Sequence, residues 1–366
     1  VRILYLAMKY DYGDPARGLG FEHYNFYDSL HNMGHELIYF DFMTLYQRLG
    51  KQAMNRRLLD VARSEKPDVC FSVLFTDQFE PDAISKLSET CPTVNWFCDD
   101  HWRFESYSKY WAPRFTWVVT TARSAPPKYE AMGCHQVIKS QWACNHFLYR
   151  KLDLPLSHDV TFVGQPHGNR RAILDALRAA GLGVKVWGMG WTEGRLSQDE
   201  MIRVFNQSRI NLNLSNASVL KAATIPSPAH RIRRRLFGDA HTGDRERHPP
   251  AVTDPNDQIK GRNFEVPGCG GFMLTGTADD LTNCYELDQE IVVFESFEDL
   301  VGKIRYYLAH EAERATIAET GYKRTLAEHT YVHRFTDVFE RMGFRAPAPE
   351  ALLAAPVSPG NTVEVS

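Results

Sequence analysis

The strongest constraint on this chain is a rhythm that starts twice. Short runs of β-branched and aromatic residues alternate with longer amphipathic stretches, the pattern of parallel strands joined by helical crossovers. In the first half, strands are expected at 1–7, 35–42, 68–74, 92–98, 116–121 and 136–142, with helices near 21–33, 44–65, 79–89 and 124–132. Around 152–158 the periodicity lapses, and a new first strand follows at 159–164. The second half continues with a helix at 169–181, a strand at 184–187, a helix near 197–207, a strand at 210–214, and a helix entered at Arg262. Strands at 271–275 and 290–294 and helices at 296–309, 311–327 and 331–342 complete it. Two Rossmann-like α/β halves are therefore expected, over 1–152 and 153–344, as suits 366 residues when single cores stop growing near roughly 250–300.

Two segments do not fit either core. Residues 221–256 are rich in Pro, Arg, His and Asp and read as a surface loop or disordered insertion, and the Ala- and Pro-rich tail 345–366 is expected to be disordered. The run from Arg231 to Arg235 reads as a solvated loop.

Composition narrows the function. A net charge of -3 with 24% charged residues sets up no field toward nucleic acid. The seven cysteines form no CxxC pair and read as reduced packing residues, not as a zinc site. The first residues enter directly as a strand without signal-peptide character, and no stretch approaches the ~18 apolar residues of a membrane span. A cytoplasmic location is expected, with peripheral membrane contact left open.

In open α/β sheets ligands bind beyond the carboxyl ends of the strands, so the loops there carry the candidates. After the first strand, Gly18, Gly20 and Glu22 lead into a helix whose free N–H groups suit an anion or a sugar hydroxyl, although turn chemistry also explains the glycines. After the fourth strand, Asp99, Asp100 and His101 leave an apolar run flanked by Trp96 and Trp102. Such groups can accept from hydroxyls and trade protons; an Asp helix cap among core tryptophans is the plainer alternative. At the restart, Gly164 precedes Arg170 and Arg171, whose charges oppose the helix dipole unless an anion lies alongside. The Trp187-Gly188-Met189-Gly190-Trp191 loop either stacks on a base or packs.

The stretch from Gln258 to Leu274 is the most informative. Lys260, Arg262 and Glu265 share neighbouring turns before a cluster containing Gly268 and Gly270 and then a buried strand. A carboxylate can accept both hydroxyls of a ribose while a nearby cation meets phosphate, so the components of nucleotide recognition are present; an intrahelical ion pair accounts for the same residues.

These residues carry a resemblance. Arg262-Asn263-Phe264-Glu265 with Gly268-Cys269-Gly270-Gly271-Phe272, the run Glu290–Phe294, the run Leu300–Leu308, and Glu328-His329-Thr330-Tyr331 with Arg334 resemble the bacterial CgeB-like glycosyltransferases. Glu22, Tyr24 and Asn25, and Asn95 to Asp100, look like the same family. The resemblance implies the GT-B architecture, two Rossmann-like parallel-sheet domains facing across a cleft. It makes Glu265, five residues before Gly270, similar to a ribose-binding glutamate, with Asp257 at the position of the acid eight residues earlier. It further implies transfer of a sugar from a nucleotide-diphospho-sugar to a hydroxyl of a glycan, lipid or protein, with a retaining outcome. No cofactor or metal is expected, the leaving diphosphate being met by Arg262, Lys260 and Arg170 or Arg171. Asp99, Asp100 and His101 are the expected catalytic or sugar-handling groups. Two rivals stay open: a nucleotide-sugar epimerase of the same fold, and a non-catalytic surface or assembly protein.

Overall fold

The structure, a computed structural model, describes residues 1–215, 257–345, 349–354 and 360–365. The stretch 221–256 lies outside the described residues. The chain forms two parallel sheets. The first contains β1 (Arg2–Ala7), β2 (Glu36–Asp41), β3 (Val69–Ser72), β4 (Thr93–Phe97), β5 (Trp117–Thr120) and β6 (Val137–Lys139). The second contains β7 (His158–Val163), β8 (Val184–Trp187), β9 (Ser208–Asn213), β10 (Met273–Gly276) and β11 (Val292–Phe294). A last strand, β12 (Thr362–Glu364), returns to the first sheet, whose order is β12-β2-β1-β3-β4-β5-β6; the second runs β11-β10-β9-β7-β8.

Both faces of the first sheet are covered, which is why its strands read as unbroken apolar runs. Leu4, Leu6, Ile38 and Phe40 point into one core and Ile3, Tyr5, Leu37 and Tyr39 into the other, the two-residue alternation of a strand. The second sheet packs Val160, Phe162, Ile210 and Leu212 against helices Arg170–Ala179 and Phe297–Ala309.

Four expectations change. The helix expected over 44–65 is two helices, Phe42–Leu49 and Lys51–Glu65, broken at Gly50, whose φ of 76° a continuous helix does not allow. The helix expected over 21–33 opens with a π-turn, His23–Tyr27, before Asp28–Asn32. The helix Tyr331–Arg341, expected in the second half, lays Tyr331, Phe335, Val338 and Phe339 on the Ile3/Tyr5 face of the first sheet. Their helical spacing makes one apolar stripe, and the first sheet offers the matching aromatic face. Finally, the tail expected to be disordered carries helix Pro349–Ala354 and β12. There Thr362 registers with Leu37 and Val363 with Ile38, and Glu364 pairs with Lys9 at 2.6 Å.

Among the described residues the chain therefore crosses between the halves twice, and the crossings touch. Cys144 N–H donates to the His329 carbonyl at 2.9 Å, and Tyr331 N–H donates to the Cys144 carbonyl at 3.0 Å. Among the described residues no helix is long and apolar enough to cross a membrane.

Candidate active site

Loops from the carboxyl ends of β1 and β4 in the first sheet, and of β7 and β8 in the second, meet across a cleft. Its main cavity, about 540 Å³, is walled on one side by Asp11, Arg17, Gly18 and Phe21 and on the other by Gly164, Arg195, Arg262 and Glu265. A volume of this size holds a ligand of several rings.

The second-half wall concentrates charge. Helix Arg262–Gly268 begins with Arg262 and carries Glu265 one turn later, fully buried. The Arg262 guanidinium pairs with Glu265 Oε2 and donates from Nε to the Val163 carbonyl at 3.3 Å. Glu265 Oε1 is buried with no hydrogen-bond partner among the described residues. A buried carboxylate oxygen left unpaired is costly, so a ligand that donates hydroxyls there is favoured.

Behind this pair lie Arg170, Lys260 and Asp257. Arg170 is almost fully buried and donates to the carbonyls of Gln165 at 3.0 Å and Leu214 at 2.8 Å. Burial, then the neighbouring Arg262, brings its guanidinium down to about 10. Burial likewise brings Lys260 down to about 8; the nearby Asp99 and Asp257 charges oppose this and Arg170 reinforces it. Cations held so close in a partly dry wall repel one another, and an anion in the cleft relieves that repulsion.

A side chamber of about 230 Å³ adjoins the main cavity, sharing Asp11, Phe21 and Gln165 with it and adding Glu22 and Asp99. Asp99 Oδ1 accepts from Gln258 Nε2 of the second half at 3.1 Å, so the two walls are tied there. Although Glu22 keeps some exposure, the dense surroundings of its carboxyl push it up to about 7, with Asp11 and Asp99 adding to the rise. His101 stands half-buried near Asp279, Lys260 and Asp99, and burial lowers its basicity.

The structure thus gathers Gly18, Gly164, Arg262 and Glu265 around the main cavity and Glu22 and Asp99 around the side chamber, while Arg170, Lys260 and Asp257 line neither and stand within charge reach of one another, of Arg262 and of Asp99. It takes other candidates elsewhere. Asp100, expected to act on substrate, is 1% exposed and accepts from Thr120 Oγ1 at 2.6 Å and Tyr129 Oη at 2.7 Å. It anchors the loop after β4 from inside. Arg171, expected at the phosphate, lies over the Trp191 ring at 4.4 Å in an outer groove between helix Arg170–Ala179 and the edge strand β8. Gly20 N–H serves the turn, donating to the Lys9 carbonyl at 2.9 Å. A Cβ at Gly268 would stand 2.3 Å from Cys144 Sγ, so that glycine answers packing, while Gly270, with a φ of 71°, answers the turn that ends the helix. Trp191 packs as well, donating Nε1–H to the Gly164 carbonyl at 2.7 Å, while Met189 of the same loop lines the cavity.

Three charges lining the main cavity were not among the candidates. Asp11 and Arg17 stand in the glycine loop already singled out, so an ion pair there was open to view. Arg195, which pairs with Asp11 across the cleft at 3.0 Å, had no local signal.

Residues 170–340 match the family model described as Glycosyl transferase-like. The fold is similar to that of HepE from Anabaena in complex with UDP-glucose, with a TM-score of 0.58 and 12% identity over 93% of this chain and 99% of that one. It is also similar to sucrose-phosphate synthase from Thermosynechococcus elongatus, with a TM-score of 0.60 and 9% identity over 93% and 97%. The fold these structures define is GT-B, and residues 170–340 of this chain resemble a glycosyl transferase-like domain. The chain is also similar to CgeB, a spore protein of Bacillus subtilis (strain 168), at 21% identity over 219 residues. That match covers 58% of this chain and 64% of CgeB, less than two thirds of its length.

Proposed function

We propose that the chain transfers a sugar from a nucleotide-diphospho-sugar to a hydroxyl of a glycan, lipid or protein, with retention and without a metal, in the cytoplasm. The observation that carries this is the buried Glu265 carboxylate, with one oxygen unpartnered, at the wall of a cavity between two parallel sheets. In this reading Glu265 accepts the ribose hydroxyls, and Arg262, Lys260 and Arg170 meet the diphosphate. Their charge stabilises the leaving group as the glycosidic bond breaks, work that preorganised cations do best in a site that excludes water. Asp99 and Glu22 face the side chamber, where an acceptor hydroxyl can be held. The complex of HepE with UDP-glucose makes that donor the first to test.

The test is calorimetric titration of UDP-glucose into the wild type and Glu265→Gln, which preserves shape and removes charge. Hydrogen bonds to a charged group contribute about 1.5–3 kcal/mol each, so the variant should bind at least about tenfold more weakly. Equal affinity of the two proteins refutes the assignment of Glu265. Incubation of the wild type with UDP-glucose and hydroxyl acceptors then reports transfer as glycosylated product, and an isomerised nucleotide-sugar without such product points to the epimerase instead.

A further inference from the structure

The glycine loop that walls the cavity from the first half is held at its tip by the second half. Its base is tied within its own half: Gly20 N–H donates to the Lys9 carbonyl at 2.9 Å, and Gln47 Nε2 donates to the Gly13 carbonyl at 3.1 Å. The tip also closes on itself, Asp11 N–H donating to the Gly18 carbonyl at 2.9 Å, and Arg195 adds the hold from the second half. This guanidinium donates to the carbonyls of Arg17 and Leu19, the latter at 2.9 Å, and stands 3.0 Å from the Asp11 carboxylate. Asp11 in turn holds Arg17 at 2.9 Å. One side chain thus closes two backbone acceptors and one carboxylate across the cleft.

Arg195 is well placed to bear this. It follows the turn at Gly194, whose φ is 70°, and stands two residues before Ser197, whose capping box with Glu200 fixes the start of helix Gln198–Gln207. Arginine suits the task because its planar fork reaches several acceptors at once, whereas a lysine ammonium is a point charge on a flexible stem. With the halves apart, the Arg17 and Leu19 carbonyls lose their donor and the Asp11 carboxylate faces Arg17 alone.

We propose that Arg195 is a positioning residue that clasps the two halves and seats residues 11–19 as the second wall of the cavity when the cleft is closed. The proposal rests on the reading of that cavity as the nucleotide-sugar site. Donor bound between the walls strengthens the clasp, and the clasp encloses the donor.

The Arg17–Gly18 peptide bond reports the clasp directly, because trypsin cuts after arginine only when the local backbone opens. The full chain is digested under native conditions, with and without UDP-glucose, and cleavage at Arg17 is followed by mass spectrometry in the wild type, Arg195→Ala and Arg195→Lys. Losing charge-assisted hydrogen bonds should speed cleavage at Arg17 about ten- to hundredfold in Arg195→Ala, with the rates at tryptic sites away from the cleft unchanged. Arg195→Lys should not restore protection, which separates the fork from mere positive charge. UDP-glucose should slow this cut in the wild type and not in Arg195→Ala. Equal rates at Arg17 in the wild type and both variants overturn the clasp. If the rates differ but UDP-glucose neither binds the wild type nor slows the cut, the clasp stands and the donor assignment falls.

Discussion

Gly268→Ala tests whether that glycine belongs to the ligand or to the fold. On helix propensity alone the change should stabilise, by about 0.5–1 kcal/mol, because glycine is a poor helix residue. The surroundings reverse the sign. The added Cβ would stand 2.3 Å from Cys144 Sγ and 3.2 Å from Cys144 Cβ, against ordinary contacts of about 3.5–4 Å. Cys144 is fully buried and its backbone joins the two crossings between the halves, so it has little freedom to retreat. Overpacking of this kind costs about 1–3 kcal/mol, which outweighs the helical gain. The melting temperature should fall by about 2–4 °C per kcal/mol, read by calorimetry. Adding Cys144→Ala removes the sulfur, leaves only the milder Cβ contact, and should recover most of the loss. A Gly268→Ala protein that melts like the wild type yet loses affinity for UDP-glucose would refute the packing argument.

Two further outcomes follow from the charged groups. For Glu22 the folded protein holds a proton that the unfolded chain releases, since its carboxyl is raised from 4.5 to about 7. That contribution favours folding at low pH and is lost as pH rises from 4.5 through about 7, so Glu22→Gln should be more stable than the wild type at pH 8 and nearly matched with it below pH 4.5, by urea denaturation. Lys260, lowered to about 8, should lose its charge above that pH, so nucleotide affinity should decline through pH 8 in the wild type and stay flat in Lys260→Arg, by calorimetry.

Much of the fold was legible because fully buried parallel strands leave continuous apolar runs. The runs at 35–42 and 116–121 became Glu36–Asp41 and Trp117–Thr120. What pattern could not reveal was which sheet a helix covers: Tyr331, Phe335 and Phe339 make the same stripe whichever face receives them. β12 escaped because only three residues pair, at an edge, and their side chains stay largely exposed. In the site, the Arg262–Glu265 pair stood out because both residues lie one turn apart ahead of a glycine cluster. Asp99 and Asp100 could not be told apart, being adjacent and alike, until the turn sent one to the chamber and the other to Thr120 and Tyr129. Arg195 was invisible because its partners lie 176–184 positions away.

The paired crossings at Cys144 and Thr330–Tyr331 restrict how this molecule can move. Halves strung on one linker could swivel and twist freely, but two strands pinned side by side leave little besides rocking about the line through them. Opening is then a jaw-like swing whose amplitude grows with distance from that line, and the fit of the two walls is restored in the same register each time they shut.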